Sequence, residues 1–214
     1  MRIGVSSTGG TNAVVEYLGY RAAHSHGDVM TDGIREIEVK YRVAEPAALI
    51  RALAARGVAF SAASRQDDQA YAVNGWSYGQ SKQGRAFARL RTQDGRHLFC
   101  VKRPLDNELA CEEHETEVLG RSEMHEAILA MGFYPTVRIV KSRRTARLGG
   151  MALCLDEVDG LGVFFEIEMM VGGGRSALQV QAELDRFARS LGVDMERSTA
   201  SYDSLIRSAS VVVA

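Results

Sequence analysis

The residues best suited to chemistry are two short alternations, Glu36-Ile37-Glu38-Val39-Lys40 and Phe165-Glu166-Ile167-Glu168. In extended chain successive side chains point to opposite faces, so Glu36, Glu38 and Lys40 share one side while Ile37 and Val39 take the other. Glu166 and Glu168 share a face in the same way. Carboxylate pairs on apolar-backed strands are poorly suited to a solvated surface and well suited to holding a hard divalent cation. Basic residues repeat the spacing: Arg89 and Arg91 flank Leu90, and Lys141 and Arg143 flank Ser142. Arg138 stands one strand step out of phase with that last pair. Lys102 lies on the face opposite Phe99 and Val101, Asp156 on the face opposite Leu153 and Leu155, and Glu113, Glu115 and Glu117 alternate with Glu112, His114 and Thr116. Any one such pair can be the wet side of a half-buried sheet. If the sheet closes with all these faces inward, its lumen holds acids and bases together, which is costly unless a polyanion and metal ions neutralise it. Magnesium takes carboxylate and phosphate oxygens, while arginine and lysine take the remaining phosphate charge.

The elements that must position these residues are mostly strands. Alternating segments run over 34–43, 68–74, 84–92, 96–103, 111–118, 136–146, 150–156 and 162–170, with hairpin signals at Asp94-Gly95 and Gly149-Gly150. Three helical stretches interrupt them. Pro46 opens one over Ala47 to Arg56, closed by Gly57; Ser122 can cap Glu123 to Met131, closed by Gly132. The third, Ser176 to Leu191, carries Leu178, Val180, Leu184, Phe187 and Leu191 at helical spacing. The expected fold is α+β: an eight-stranded antiparallel β-barrel, which leaves no exposed edges, with flanking helices.

Residues 1–33 read differently and are expected to form a flexible N-terminal extension to a domain spanning 34–214. Gly9-Gly10 has no following Gly-Lys-Ser/Thr, so a phosphate loop is not expected there. His24 and His26 are expected to be catalytically irrelevant, and Met30 is an equally good start for the chain. With 26 Lys plus Arg against 27 acids, the 214-residue chain has no global pull toward nucleic acid or an anionic membrane. No apolar run approaches the roughly twenty residues that span a bilayer. Cys100, Cys111 and Cys154 are odd in number and lack metal-ligand spacing, so they read as free thiols in a reducing compartment. The expectation is a cytoplasmic protein whose partner is a small molecule, with a homodimer compatible.

The ordered set of motifs resembles the CYTH superfamily, the triphosphate tunnel metalloenzymes. Glu36 to Lys40 matches its Glu-x-Glu-x-Lys signature, followed in order by Phe87-Ala88-Arg89-Leu90-Arg91, Val101-Lys102-Arg103-Pro104, Glu113-His114-Glu115-Thr116 and Arg138-Ile139-Val140-Lys141-Ser142-Arg143-Arg144. The most specific stretch runs from Cys154-Leu155-Asp156-Glu157-Val158-Asp159-Gly160-Leu161-Gly162 into Phe165-Glu166-Ile167-Glu168, and Ser201 to Ile206 resembles the closing segment. The likeness covers about residues 34–207 and is strongest to the class IV adenylyl cyclase and thiamine-triphosphatase branch.

The resemblance implies a tunnel that binds a triphosphate with two Mg²⁺ or Mn²⁺ ions. Glu36, Glu38, Glu166, Glu168 and Asp156 would be metal ligands. Lys40, Arg89, Arg91, Lys102, Arg138, Lys141 and Arg143 would grip phosphates, and Asp156, Glu115 and Lys141 would act in catalysis. The implied reaction is nucleoside triphosphate, ATP first, to 3′,5′-cyclic nucleotide and pyrophosphate. The alternatives are hydrolysis of a triphosphate to orthophosphate and, behind both, non-catalytic triphosphate binding. The chain departs from the cyclase pattern in lacking a His-Phe dipeptide within Gly27 to Arg35, in stretching an Asp-x-Tyr motif to Asp68-Gln69-Ala70-Tyr71, and in placing Cys111 where an arginine is common. These departures bear on substrate and reaction more than on the metal site. Trp76, Tyr71, Tyr78 and Phe133 are candidates for the tunnel mouth, each with core packing as the competing role.

Overall fold

The computed structural model describes residues 34–172 and 174–212, with the side chains of 210–212 excepted. The expectations placed on residues 1–33, including those for His24 and His26, lie outside the described residues.

Nine strands run in chain order: β1 Arg35–Val43, β2 Ser64–Val73, β3 Phe87–Gln93, β4 Arg96–Asn107, β5 Ala110–Val118, β6 Phe133–Leu148, β7 Met151–Val158, β8 Gly162–Val171 and β9 Met195–Ser198. The helices are α1 Pro46–Ala54, α2 Arg121–Ala130, α3 Ala177–Ser190 and α4 Tyr202–Val212. All strand pairs are antiparallel, in the order β5-β4-β3-β2-β6-β7-β8-β1-β9, and β5 also pairs with β1. Eight strands therefore close into a ring, as the motif spacing predicts. Asp94 and Gly95 turn the β3–β4 hairpin with φ of 50° and 75°, the left-handed pair that a two-residue hairpin requires.

The element bounds shift modestly from those read in the sequence. The strand expected over 84–92 begins only at Phe87, after the turn at residues 83–84. Ser122 sits inside α2 instead of capping it; Gly120 is the cap residue, with extended backbone. Strand β9 and helix α4 have no counterpart among the expected elements. Four residues are too few to show a period of two, and α4 follows a stretch rich in serine.

The main apolar core lies outside the ring. Ile37, Val39, Tyr41 and Val43 of β1, with Leu153, Phe165 and Ile167, pack beneath Leu49 and Leu53 of α1 and Val180, Leu184 and Ala188 of α3. Burying those side chains at roughly 25 cal/mol per Å² holds the helices against the outer face and commits the alternate, charged residues to the interior. A smaller cluster seats Ile128 of α2 against Tyr71 and Leu90. A third packs Tyr202, Leu205 and Ile206 of α4 against Ile139 and Phe164, which share strand faces with Lys141 and Glu166. No helix among the described residues is long and apolar enough to cross a membrane.

Candidate active site

The ring encloses a cavity of about 160 Å³ lined by Glu36, Glu38, Lys40, Asp68, Arg89, Lys102, Lys141, Arg143, Glu166 and Glu168, among others. That is on the order of ten times what one water needs. Strand register assembles it: Glu38 faces Glu168 and Lys40 faces Glu166 across β1 and β8, and Arg143 faces Asp156 across β6 and β7. On the other wall Asp68 faces Arg91 and Lys102 faces Glu113. Strand β1 parts from β5 after Ile37, where the Glu38 N–H donates to the Leu109 carbonyl at 2.9 Å. Gln181 of α3 donates to the Glu38 carbonyl at 3.0 Å, so the backbone beneath this carboxylate is held from both sides.

One carboxylate oxygen from each of Glu38, Glu166 and Glu168 lies within 4.8 Å of the others. An all-oxygen donor set from three acids suits a hard divalent cation, so these residues fit the metal that the motif implies. The structure balances them with Lys40, 3.0 Å from Glu166 and 3.4 Å from Glu38, and with Arg143, 3.4 Å from Glu168 and also bonded to Glu166. Of the five expected metal ligands, Glu36 and Asp156 stand apart from this trio. Glu36 accepts from Lys102 at 2.9 Å. Asp156 is fully buried and takes Arg143 at 2.7 and 2.6 Å, Lys141 at 2.8 Å and the Tyr202 hydroxyl at 3.0 Å.

The phosphate-grip candidates divide similarly. Lys40, Arg89, Lys102, Lys141 and Arg143 all line the cavity. Arg91 also points inward, but its fork is filled by Asp68, at 2.7 Å on both arms. Arg138 is not brought to the site. Its side chain is 65% exposed on the outer face, where it pairs with Asp67. The physical reason is strand parity, because Arg138 is an odd number of residues from Lys141. Glu115 faces inward and accepts from Arg89 at 2.7 Å. Of the proposed mouth aromatics, Trp76 and Tyr71 line the cavity, with Trp76 edge-on to Phe87.

Four site residues were given no role from sequence, although Glu113, Asp68 and Tyr202 fell within stretches that resemble family motifs. Glu113 is buried, 2.6 Å from Lys102 and 3.5 Å from Arg89. Its parity with Glu115 marked the face, but the run Glu112 to Glu115 is polar on both sides and hid which one turns inward. Asp68 was hidden by its neighbour Asp67. Tyr202 and Lys82 carried no periodic signal, since one lies just after a loop and the other within one.

The ionisation pattern follows from burial against pairing. Burial and then Glu113 push the Glu36 carboxyl well above its usual range, with Lys102 only partly opposing them. Burial also raises Glu38. Glu166 is buried as well, yet Lys40 and Arg143 hold it well below the ordinary carboxylate range. Arg143 and Lys141 likewise outweigh burial at Asp156 and lower it. Burial and Arg143 lower the Lys141 ammonium. The ring interior thus interleaves acids and bases, with Lys40, Arg89, Arg91, Lys102 and Arg143 each paired to a carboxylate. Burial pushes the Cys111 thiol up to about 12, which keeps it neutral.

Comparison with known proteins bears on the fold and the family of the chain. A "putative adenylate cyclase" of Methanocaldococcus jannaschii is 24% identical over 174 residues, covering 80% of this chain and 94% of the relative. The structure of the PH1819 protein from Pyrococcus horikoshii superposes with a TM-score of 0.68 at 23% identity, covering 81% of this chain and 98% of that one. A Hippeastrum protein, named as an adenylyl cyclase and described as having dominant triphosphatase activity, matches with a TM-score of 0.56 at 22% identity, over 81% of this chain and 95% of its own. The CYTH domain model matches residues 35–202, and the chain therefore belongs to the CYTH family.

Proposed function

We propose that this protein is a divalent-cation-dependent enzyme of triphosphates with adenylyl cyclase-like chemistry, converting a nucleoside triphosphate, ATP first, to 3′,5′-cyclic nucleotide and pyrophosphate. The observation that carries the reading is the Glu38–Glu166–Glu168 trio facing the same cavity as five buried or half-buried cations. A pure anion binder needs the cations and is weakened by the acids. The two together fit a polyanion that arrives with metal.

The trio would hold Mg²⁺ or Mn²⁺. When bound, the ion would screen phosphate charge and lower the pKa of an attacking hydroxyl. Lys40, Arg89, Lys102, Lys141 and Arg143 bind and orient the phosphate chain, offsetting charge that builds as a P–O bond breaks. Asp156 keeps Lys141 and Arg143 in place through its hydrogen bonds to both. Glu115 orients the attacking 3′-hydroxyl and accepts its proton as that oxygen bonds to the α-phosphorus and the bond to the departing pyrophosphate breaks.

A second reading, hydrolysis to orthophosphate, is favoured by two observations. The chain lacks the His-Phe dipeptide before Glu36, and the Hippeastrum structure it resembles is described as dominantly a triphosphatase. The test incubates the protein with Mg²⁺ or Mn²⁺ and, separately, ATP, other nucleoside triphosphates, thiamine triphosphate and tripolyphosphate, with phosphorus NMR of the products. Cyclic nucleotide plus pyrophosphate supports the first reading, and orthophosphate plus diphosphate supports the second. Tight binding without turnover would leave only a binder.

A further inference from the structure

Tyr202 is almost fully buried at a point where cations from two separated strands converge. The Lys40 ammonium lies 4.0 Å from its ring centroid and the Lys141 ammonium 4.7 Å. Its hydroxyl donates to Asp156 at 3.0 Å, and Phe164 packs edge-on against it with centroids 5.3 Å apart. Strands β1 and β6, which carry the two lysines, are separated in the ring by β7 and β8, so no strand pairing brings these ammonium groups together. The tyrosine of α4 does. Each lysine also holds a carboxylate, Lys40 taking Glu166 at 3.0 Å and Lys141 taking Asp156 at 2.8 Å, and the aromatic face between them attracts both cations without occupying an N–H group.

The segment carrying Tyr202 is itself clamped. Lys82, in the loop between β2 and β3, is nearly buried and donates to Ser201 at 2.9 Å, Asp203 at 2.9 Å and Ser204 at 2.7 Å. The same ammonium reaches Glu108 at 3.2 Å. These contacts bracket Tyr202 on both sides in the chain.

We propose that Tyr202 is a positioning residue for the phosphate grip, its ring seating Lys40 and Lys141 together, with Lys82 clamping the start of α4. The inference rests on the triphosphate reading above. Two measurements on the full chain separate them: titration calorimetry with tripolyphosphate and with orthophosphate, and NMR of lysines labelled at Cε. Protons near a ring face are shifted upfield, a signature independent of catalysis. The wild type and Tyr202→Phe should both show upfield-shifted signals for Lys40 and Lys141 and bind tripolyphosphate within about twofold of each other, because the ring is retained. Tyr202→Met should lose both shifts and about tenfold in tripolyphosphate affinity, with a smaller loss for orthophosphate, since a short anion needs only one ammonium. Lys82→Met should fall between.

A folded Tyr202→Met with wild-type affinity, or a wild type without shifted lysines, overturns the proposal. If Tyr202→Met does not fold, Lys82→Met decides: wild-type shifts and affinity in that variant overturn it. A wild type that shows the shifted lysines but binds no tripolyphosphate overturns the triphosphate reading, and the grip with it.

Discussion

Asp68 and Asp67 each take the fork of an arginine, but on opposite faces of β2. Asp68 points into the ring and holds Arg91, with side chains 3% and 8% exposed. Asp67 points out and holds Arg138, with side chains 30% and 65% exposed. Bond lengths hardly distinguish them, at 2.7 and 2.7 Å inside against 2.8 and 2.6 Å outside. The surroundings do. Inside, burial acts against the Asp68 carboxylate, yet Arg91, Arg89 and Lys141 hold it far below its ordinary pKa. Outside, the Arg138 hydrogen bond is the main cause of a lowered Asp67. The interior is a network in which each charge depends on several others, and the exterior pair stands in water.

The sharpest way to break this contrast is at the acid trio. Glu38→Gln should lower metal-dependent kcat/KM by more than about a hundredfold, beyond what altering an outer-shell partner of a metal costs. Steady-state kinetics with Mg²⁺ or Mn²⁺ checks it, and near-normal turnover would place the ion elsewhere.

Next comes Asp68→Asn, which leaves the Arg91 guanidinium buried with half its compensation. It should destabilise the fold by about 3–5 kcal/mol in denaturant titrations. The intact pair also predicts a pH dependence. Asp68, Glu113, Asp156 and Glu166 all have folded-state values below their unfolded ones. Their stabilisation is therefore present above roughly pH 4, the unfolded carboxylate range, and is lost as pH falls through the folded values. A melting temperature that stays flat on acidification below that range would count against the network.

Glu36 should behave in the opposite sense. Burial and Glu113 raise its carboxyl, so the unfolded chain ionises it more easily and its charge destabilises the fold as pH rises above the unfolded value. Glu36→Gln should stabilise the metal-free protein at neutral pH by about 1 kcal/mol, or roughly 2–4 °C in Tm, measured by calorimetry. A lower Tm would mean that its bond to Lys102 outweighs its burial.

The smallest effect belongs to the outer pair. Arg138→Ala should change stability by no more than about 0.5 kcal/mol, as exposed pairs do, and leave tripolyphosphate affinity unchanged. A tenfold loss of affinity would restore Arg138 to the phosphate grip.

Much of this site was legible in the chain because a strand's period is short and strict. Glu36, Glu38, Lys40, Glu166, Glu168, Lys141 and Arg143 declare their shared faces by alternation with apolar or small neighbours, and the hairpin glycines place the strands in order. The eight-strand ring follows from the same pattern. Where the pattern is charged on both faces, as at Asp67-Asp68 and Glu112 to Glu115, the period remains but the inward side is ambiguous.

What only the tertiary structure decided is which charges share a neighbourhood. The family resemblance set Asp156 beside Glu38 among the expected metal ligands, with a catalytic role as well. Strand order placed Asp156 between Lys141 and Arg143 and under Tyr202, and placed Glu38 directly across from Glu168. Register between strands distant in sequence, such as β1 with β8, depends on packing the outer face beneath α1 and α3. Helix α4, which brings Tyr202 to two lysines from separate strands, belongs to the same class of fact. Alternation is a local property of the backbone, whereas the company a side chain keeps depends on contacts between strands and helices that the local pattern does not specify.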